Sequence, residues 1–254
     1  MQGLNLGIDF SGGSMLHIKL PAGTTSAQVS EVLADMKIGK ADVQKSGDEF
    51  YIRTSALSQE KTDEVMANFK TEFKQVEFLS SENVGAVIGK ELTRNAILAL
   101  LIATVMMLLY ITFRFEWTFG IAAIVGIIHN VLVVLGLFSL FQWEINSAFI
   151  AAILTVIGYT INDTIIIFDR VRENLRIKSK EDFATLLNRS IMQMMNRSVN
   201  TVLTSVFALV ALIIFGGESI KLFVLAMLIG FTIGAYSSIF ITSPVLYQIR
   251  GSKA

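Results

Sequence analysis

The sequence predicts a multi-pass α-helical membrane protein that carries one small α+β domain ahead of its spans. Hydrophobic residues make up 53% of the 254 residues and charged residues only 17%, which is too apolar for an ordinary soluble domain. The charges are also uneven, because 23 of them precede residue 95 whereas the stretch 95–168 holds four. We therefore predict a polar domain over residues 1–88 and a membrane domain over residues 89–254.

The composition also excludes several kinds of functional site. The 21 Lys and Arg balance the 21 Asp and Glu, so no excess of positive charge indicates a nucleic-acid partner. The absence of Cys excludes a disulfide scaffold, a redox CxxC motif and a thiol nucleophile. Two His are too few for a His-rich metal site, and no Walker-type nucleotide loop is present. We therefore expect neither a metal nor an organic cofactor.

The polar front domain has the pattern of a split β-α-β fold. Thr25 and Gln28 form a capping-box sequence ahead of apolar residues at helical spacing, and a second amphipathic helix follows Ser58. A turn at residues 46–48 separates two short β-type runs. The predicted strands are 14–20, 41–45, 50–53 and 75–79. The order strand, helix, strand, strand, helix, strand predicts a ferredoxin-like domain.

The membrane domain contains five apolar runs, each long enough to cross a bilayer, which takes about 17 to 25 residues. The predicted spans are 95–113, 117–141, 147–168, 199–215 and 222–247. Buried core helices of a soluble protein are the alternative, but five such runs in 160 residues would leave a soluble fold no polar surface. Trp117 and Trp143 lie at span ends, where interfacial aromatic residues are common.

The distribution of Lys and Arg predicts the orientation of these spans. Arg114, the loop 169–197 and the C-terminal tail fall on one side of the membrane and hold ten Lys and Arg. The short loops on the other side hold one, Lys221. Because basic loops remain in the cytoplasm, the C-terminus is predicted to be cytoplasmic and residues 1–88 extracytoplasmic. Met1–Asp9 has no basic region or apolar core to direct that domain outward, so we expect a preceding span to be absent here or supplied by a partner.

Asp163 is the only charged residue inside the five predicted spans. It lies five residues before the end of its span at Phe168, which is about 8 Å inside the apolar slab. A charge at the centre of a span costs about 2.5 to 3.5 kcal/mol on insertion scales, so such residues are usually functional or paired. Proton or ion binding is the favoured interpretation, with Asn162 and Thr164 as hydrogen-bonding neighbours. A structural ion pair, or local access of water without a role, is the alternative.

A polar stripe begins at Arg197, in the fourth predicted span. Its further members, at helical spacing, are Asn200, Thr201, Thr204 and Ser205. Such a face is expected to point into the helix bundle rather than toward lipid. Because Arg197 lies near the depth of Asp163, the two are predicted to form a proton-coupling pair. A basic anchor that extends to the membrane surface is the alternative.

His129 and Asn130 lie at the middle of the second predicted span. An imidazole at that depth either transfers protons or makes an interhelical hydrogen bond. Gly230 and Gly234 form a GxxxG pattern in the fifth span, which indicates close helix packing.

Two motifs make the chain resemble a known family. Residues 7–13, GIDFSGG, resemble the GxDFxGG motif that opens the extracytoplasmic domain of the SecF family. The motif positions are Gly7, Asp9, Phe10, Gly12 and Gly13. Residues 156–174, VIGYTINDTIIIFDRVREN, are similar to the fourth-span motif of that family, and 113–117 and 196–198 also match. The resemblance covers essentially the whole chain.

The resemblance implies a subunit of the bacterial Sec preprotein translocase in the cell inner membrane. SecF forms, with SecD, a branch of the resistance-nodulation-division superfamily. The implied partners are SecD, the SecYEG channel, the translocating preprotein and membrane lipids, and the coupling ion is the proton. The carboxylate of the family corresponds to Asp163 and its basic residue to Arg197, with no covalent catalysis. The polar residues expected to support them are Asn162, Thr164, Thr201, Thr204, His129 and Asn130.

Three departures from the family pattern accompany this resemblance. The family has a further span before the GxDFxGG motif, and this chain begins just after it. Asn130 stands where the family usually has an Asp, and an amide does not take up a proton. Ala86 replaces a proline that usually follows Val-Gly.

Two other functions compete with this interpretation. A small-molecule or lipid exporter of the same superfamily would need a substrate pocket between large outer domains, and the front domain is small. An intramembrane protease would need two apposed Asp, or Ser with His, and Asp163 is the one carboxylate in the spans.

Overall fold

The computed structural model describes residues 3–36, 38, 41–73, 75–177 and 181–251. The chain divides into two compact units. The first, an α+β unit, is Leu6–Ala96, and the second, a membrane unit, is Ile97–Ala254 together with Met1–Asn5. Lys178, Lys180 and Lys253, which belong to the predicted basic segments, lie outside the described residues.

The α+β unit contains one four-stranded antiparallel sheet and three helices. The strands are β1 (Gly13–Lys19), β2 (Asp42–Ser46), β3 (Glu49–Thr54) and β4 (Glu77–Val84). The helices are α1 (Ile8–Ser11), α2 (Ser26–Asp35) and α3 (Gln59–Glu72). The sheet order β2-β3-β1-β4 places the first strand between the third and the fourth, which is the arrangement of a ferredoxin-like fold. The predicted small α+β domain is therefore confirmed.

The core of this unit is formed by the inward faces of the sheet, α2 and α3. Its fully buried side chains are Leu16, Ile18, Val29, Phe50, Ile52, Val65 and Phe69. The predicted capping box begins α2, where the Thr25 hydroxyl accepts a bond from the Gln28 amide at 3.3 Å and Gln28 Oε1 accepts one from the Thr25 amide at 2.9 Å. These two bonds satisfy amide groups that a helix N-terminus otherwise leaves without partners.

The paired glycines at positions 12 and 13 connect α1 to the sheet. Gly12 has φ +71° and Gly13 has φ +134°, which are conformations that residues with side chains rarely adopt. A Cβ atom on Gly13 would lie 2.5 Å from the carbonyl oxygen of Thr54 on the neighbouring strand. The glycine pair of the GIDFSGG segment is therefore required by the backbone, which the sequence motif alone did not reveal.

The membrane unit is formed almost entirely by long helices. These are α4 (Ala86–Arg114), which starts within the α+β unit, α5 (Trp117–Leu140), α6 (Ser147–Arg176) and α7 (Phe183–Phe215). The last span consists of α8 (Glu218–Ser237), a π-helical segment (Ser238–Thr242) and α9 (Ser243–Gly251). Within the described part of the chain, five helices are long and apolar enough to cross a membrane, which confirms the predicted number. Several extend beyond the predicted spans, because polar residues continue a helix beyond the apolar slab.

The helices α6 and α8 pack closely against each other. A Cβ atom on Gly230 would overlap the side chain of Val156, and one on Gly234 would overlap the hydroxyl of Thr160. Because lipid tails are as apolar as the side chains, helices in a bilayer associate through such close packing. The predicted role of the GxxxG pattern in helix packing is therefore confirmed.

The glycine pair of the α+β unit yields a stability prediction. Gly13→Ala should destabilise this unit by about 1 to 3 kcal/mol, because Ala is strained at this φ and its Cβ meets Thr54. Limited proteolysis of the detergent-solubilised protein against temperature measures the change. Gly85→Ala is the matched control, because nothing lies within 4 Å of its Cβ position. Equal resistance of the two variants would contradict the explanation.

Candidate functional site

Asp163 lies on the buried face of α6. Its exposed fraction is 2%, although it is a carboxylate in a span. Both carboxylate oxygens are buried and have no hydrogen-bond partner among the described residues. Within the described part of the chain, no short ion pair therefore holds the group there.

Two residues of α6 within about one turn of Asp163 make hydrogen bonds to other helices. Next to it in sequence, the Thr164 hydroxyl is 2.9 Å from the hydroxyl of Ser238, in the π-helical segment. One turn earlier, the Tyr159 hydroxyl donates to the main-chain oxygen of Thr201 at 2.9 Å and lies 2.9 Å from the Ser205 hydroxyl. These contacts connect α6 to α7 and to the last span on both sides of the carboxylate.

Asn130 and His129 extend the polar contacts into α5. The Asn130 side-chain amide donates to the Thr160 hydroxyl at 2.7 Å and to the main-chain oxygen of Gly230 at 3.1 Å. His129 Nδ1 lies 2.7 Å from the hydroxyl of Ser237. Both residues thus make interhelical hydrogen bonds, the second of the two roles that the sequence left open for the imidazole. We refer to His129, Asn130, Tyr159, Thr160, Asp163, Thr164 and their partners on α7, α8 and the π-helical segment as the polar layer.

The π-helical segment was not predicted from the sequence. The Ser243 hydroxyl donates to the main-chain oxygen of Ser238, five residues earlier, at 3.0 Å. The Ser238 hydroxyl donates to the main-chain oxygen of Gly234 at 3.0 Å. Pro244 follows directly and has no amide hydrogen to continue the helical bonds. The sequence holds a group of hydroxyl residues before a proline in an apolar span, and π-bulges occur frequently at functional sites.

The α7 stripe only partly enters the bundle. Ser205 reaches Tyr159 through its hydroxyl, as expected for an inward face, whereas Thr201 contributes only its main-chain oxygen and its own hydroxyl donates to the main-chain oxygen of Arg197 at 2.8 Å. Asn200 and Thr204 are exposed, and Thr204 bonds only to its own helix, so the inward orientation expected for them is wrong within this chain. The reason is geometric, since residues 200 and 204 lie on one line of the helix and 201 and 205 on the next. Asn162 is likewise exposed and does not join the polar layer.

Arg197 lies beside Asp163 without a direct ion pair. Its side chain is exposed and has no hydrogen-bond or ion-pair partner among the residues that the structure describes. It is carried by α7, whose residues Thr201 and Ser205 contact Tyr159, one turn before Asp163 on α6. The expected pair is therefore not a salt bridge in this structure, and a proton-coupling role of the two residues stays a prediction.

Comparison with known proteins assigns the chain to a family. Residues 64–252 match the family model "Protein export membrane protein SecD/SecF, C-terminal", and residues 1–20 match the "SecD/SecF GG Motif". The chain belongs to the SecD/SecF family. The GG motif covers Gly12 and Gly13, so the pair with positive φ angles is a family feature.

Individual SecF and SecDF proteins resemble the chain over nearly its full length. It is 45% identical over 258 residues to the protein translocase subunit SecF of Acidaminococcus fermentans, covering 98% of this chain and 88% of the relative. It is 39% identical over 259 residues to SecF of Sebaldella termitidis, covering 99% and 84%. It is 38% identical over 260 residues to SecDF of Thermus thermophilus, covering 99% and 35%.

Solved SecDF structures also resemble this fold. The crystal structure of SecDF from Thermus thermophilus, a translocon-associated membrane protein, gives a TM-score of 0.91 at 37% identity over 96% of this chain and 34% of that chain. The structure of SecDF in a super-membrane-facing form gives a TM-score of 0.73 at 36% identity, over 99% of this chain and 35% of that chain. The chain thus spans about a third of the SecDF proteins it matches. The predicted SecF resemblance and multi-pass membrane fold are confirmed.

The buried amide of the polar layer can be tested by substitution. Asn130→Leu removes the bonds to Thr160 and Gly230, and interhelical hydrogen bonds contribute about 0.6 to 1.7 kcal/mol. We expect a lower unfolding temperature in detergent. Asn200→Leu is the control, because the same change is made at an exposed position. If both variants unfold like the parent protein, Asn130 does not stabilise the bundle.

Proposed function

We propose that this chain is a SecF-type subunit of the bacterial Sec preprotein translocase. Together with SecD, it promotes export of unfolded preproteins through the SecYEG channel at the expense of the proton-motive force. Protons are the coupling ion, and the chain carries out no covalent catalysis. The observation that supports this most directly is the buried Asp163 carboxylate without a short ion pair, held in a layer of hydroxyl groups.

The proposed coupling depends on the charge of Asp163. The ionised carboxylate attracts Arg197, which draws α7 and α6 together at that level. The protonated group does not, and Arg197 then turns to the aqueous surface. Moving one charge across the membrane supplies about 2.3 kcal/mol per 100 mV, so a few protons are enough to shift a conformational equilibrium of a few kcal/mol. Because α4 is one continuous helix from the α+β unit into the membrane unit, it can transmit such a shift.

The proposed topology has the α+β unit outside the inner membrane and the C-terminus in the cytoplasm. Basic residues from separate segments meet at one end of the membrane unit, where Arg172 donates to the main-chain oxygen of Arg114 at 3.1 Å and Arg250 pairs with Glu116 at 2.7 Å. At the other end, the Ile145 main-chain amide donates to the main-chain oxygen of Asn5 at 2.8 Å. The positive-inside rule assigns the basic end to the cytoplasm.

We also propose that α6 offers a surface to SecD. Four exposed residues lie along one line of this helix: Ala151, Thr155, Gly158 and Asn162. Small residues let helix backbones approach closely, and a polar side chain in a span needs a protein partner rather than lipid. This line therefore suits a second membrane helix, and SecD is the partner of SecF in the fused relatives.

Asp163→Asn tests the proton coupling. The amide cannot ionise, so the variant should assemble normally and lose most or all of the extra export driven by an imposed proton gradient. Arg197→Lys keeps the positive charge but loses the planar guanidinium group, so this variant should lose part of the gradient-driven export. Export by reconstituted SecYEG, SecD and this chain measures the effect, with Glu218→Gln, an exposed carboxylate on α8, as the control. Full stimulation of Asp163→Asn would refute the proposed role.

Cysteine cross-linking tests the SecD surface. The chain has no native Cys, so single cysteines at Thr155 and Asn162 give a clean background. Both should cross-link to cysteines on the spans of SecD in native membranes. Leu132→Cys is the control, because this residue is 61% exposed on α5 and should face lipid. Cross-linking from Leu132 but from neither α6 position would place SecD elsewhere.

A further inference from the structure

A cavity of about 410 Å³ opens at the basic end of the membrane unit, between α4, α6 and α7. Its volume is in the range of small-molecule pockets, about 300 to 1,000 Å³. One part of its wall is polar and contains Arg114, Asp169, Arg170, Glu173 and Arg197. The remainder is largely apolar and contains aromatic and aliphatic side chains of the same three helices and of the α4–α5 junction.

The charges of the polar wall are only partly neutralised. Arg170 is occupied, because its guanidinium pairs with Glu173 at 2.6 Å and donates to Gln193 at 2.6 Å. Arg114 lies 4.0 Å from the Asp169 carboxylate, which is beyond hydrogen-bond length, and its side chain is 50% exposed. Arg197 has no hydrogen-bond partner among the described residues. Two guanidinium groups therefore face the cavity with most of their donors available.

The position of Arg114 is fixed by its surroundings. The Arg114 guanidinium lies 5.4 Å from the centre of the Phe115 ring, at cation–π distance. Arg172 lies 5.8 Å from the same ring and donates to the main-chain oxygen of Arg114. The end of α4 is thus tied to α6, and the Arg114 side chain is held at the rim of the cavity.

The edge of the cavity continues into apolar surface along α4. Met106 is 61% exposed, Leu109 58% and Tyr110 55%, and Tyr110 also lines the cavity. A ligand that fills the site would therefore meet arginines at one end and an apolar helix face at the other. This combination suits an amphipathic anion better than a free soluble one.

We propose that this cavity binds the phosphodiester headgroup of an anionic phospholipid, with Arg114 and Arg197 as its ligands and the acyl chains along α4. Guanidinium groups recognise phosphate oxygens through paired hydrogen bonds, and basic pockets between membrane helices on the cytoplasmic side bind such headgroups. The site rests on the proposed function only for its assignment to the cytoplasmic leaflet. Because Arg197 also acts on Asp163, a bound headgroup would compete with that carboxylate for the same cation.

Native mass spectrometry of the detergent-solubilised full chain tests the proposal without a proton gradient or export. Phosphatidylglycerol and phosphatidylcholine are added at equal concentrations, and retained lipid is counted. We expect preferential retention of phosphatidylglycerol and binding weakened about tenfold or more by Arg114→Gln and by Arg197→Gln, since each removes charge-assisted hydrogen bonds. Arg176→Gln is the control, because this exposed arginine ends α6 outside the cavity.

Three outcomes would overturn the proposal. Equal retention of the two lipids would show no headgroup recognition. Equal weakening by Arg176→Gln would indicate general surface charge. Thermal stabilisation by inorganic phosphate equal to that by phosphatidylglycerol would indicate a free-phosphate site. Arg114→Lys, which keeps the charge, checks that any loss in Arg114→Gln is not unfolding, and its retained lipid should lie between the parent and Arg114→Gln. None of these results depends on whether Asp163 couples protons.

Discussion

The close approach of α6 and α8 at Gly230 and Gly234 is the constraint on which the membrane unit depends. With Gly at these positions, Val156 and Thr160 lie directly against the backbone of α8. That distance lets the Asn130 amide bridge Thr160 on α6 and the Gly230 carbonyl on α8 at once. It also lets the Tyr159 ring stack on Phe231 with centroids 3.8 Å apart. A larger residue at either glycine would separate the helices and open the polar layer.

The polar layer satisfies polar groups that the bilayer would otherwise leave without partners. Thr160, Thr164, Ser237 and Ser238 are nearly fully buried and each has a hydrogen-bond partner. Two residues are exceptions among those described: the side-chain oxygen of Asn130 and both carboxylate oxygens of Asp163 are buried without a hydrogen-bond partner. A fully satisfied network tends to rigidify a core, whereas one unsatisfied ionisable group leaves a point at which protonation can change the balance of forces. The hydroxyl groups around Asp163 are therefore held by hydrogen bonds, whereas the carboxylate itself is not.

The sequence predicted the elements well where one local signal determines them. The capping box at Thr25 and the period-two strands gave the ferredoxin-like order, and apolar length gave five spans. Asp163 was found because it is the lone charge in those spans. What the sequence could not give depends on distant neighbours. The inward turn of Ser205 but not Thr204 is set by where α7 meets α6, and the Asn130 bonds depend on the glycines 100 residues later. The cavity between Arg114 and Arg197 arises from three helices together.

The π-helical segment before Pro244 divides the last span into two helices, α8 and α9, whose faces are rotated relative to each other. A π turn contains one more residue than an α turn, which rotates everything beyond it by about 100° relative to an uninterrupted helix. In this phase Arg250 meets Glu116 and lies over the rings of Phe119 and Phe183. The single additional residue therefore sets the alignment of the C-terminal end with the start of α5 and α7. A change of length within 238–242 would therefore turn the final helix to present a different face.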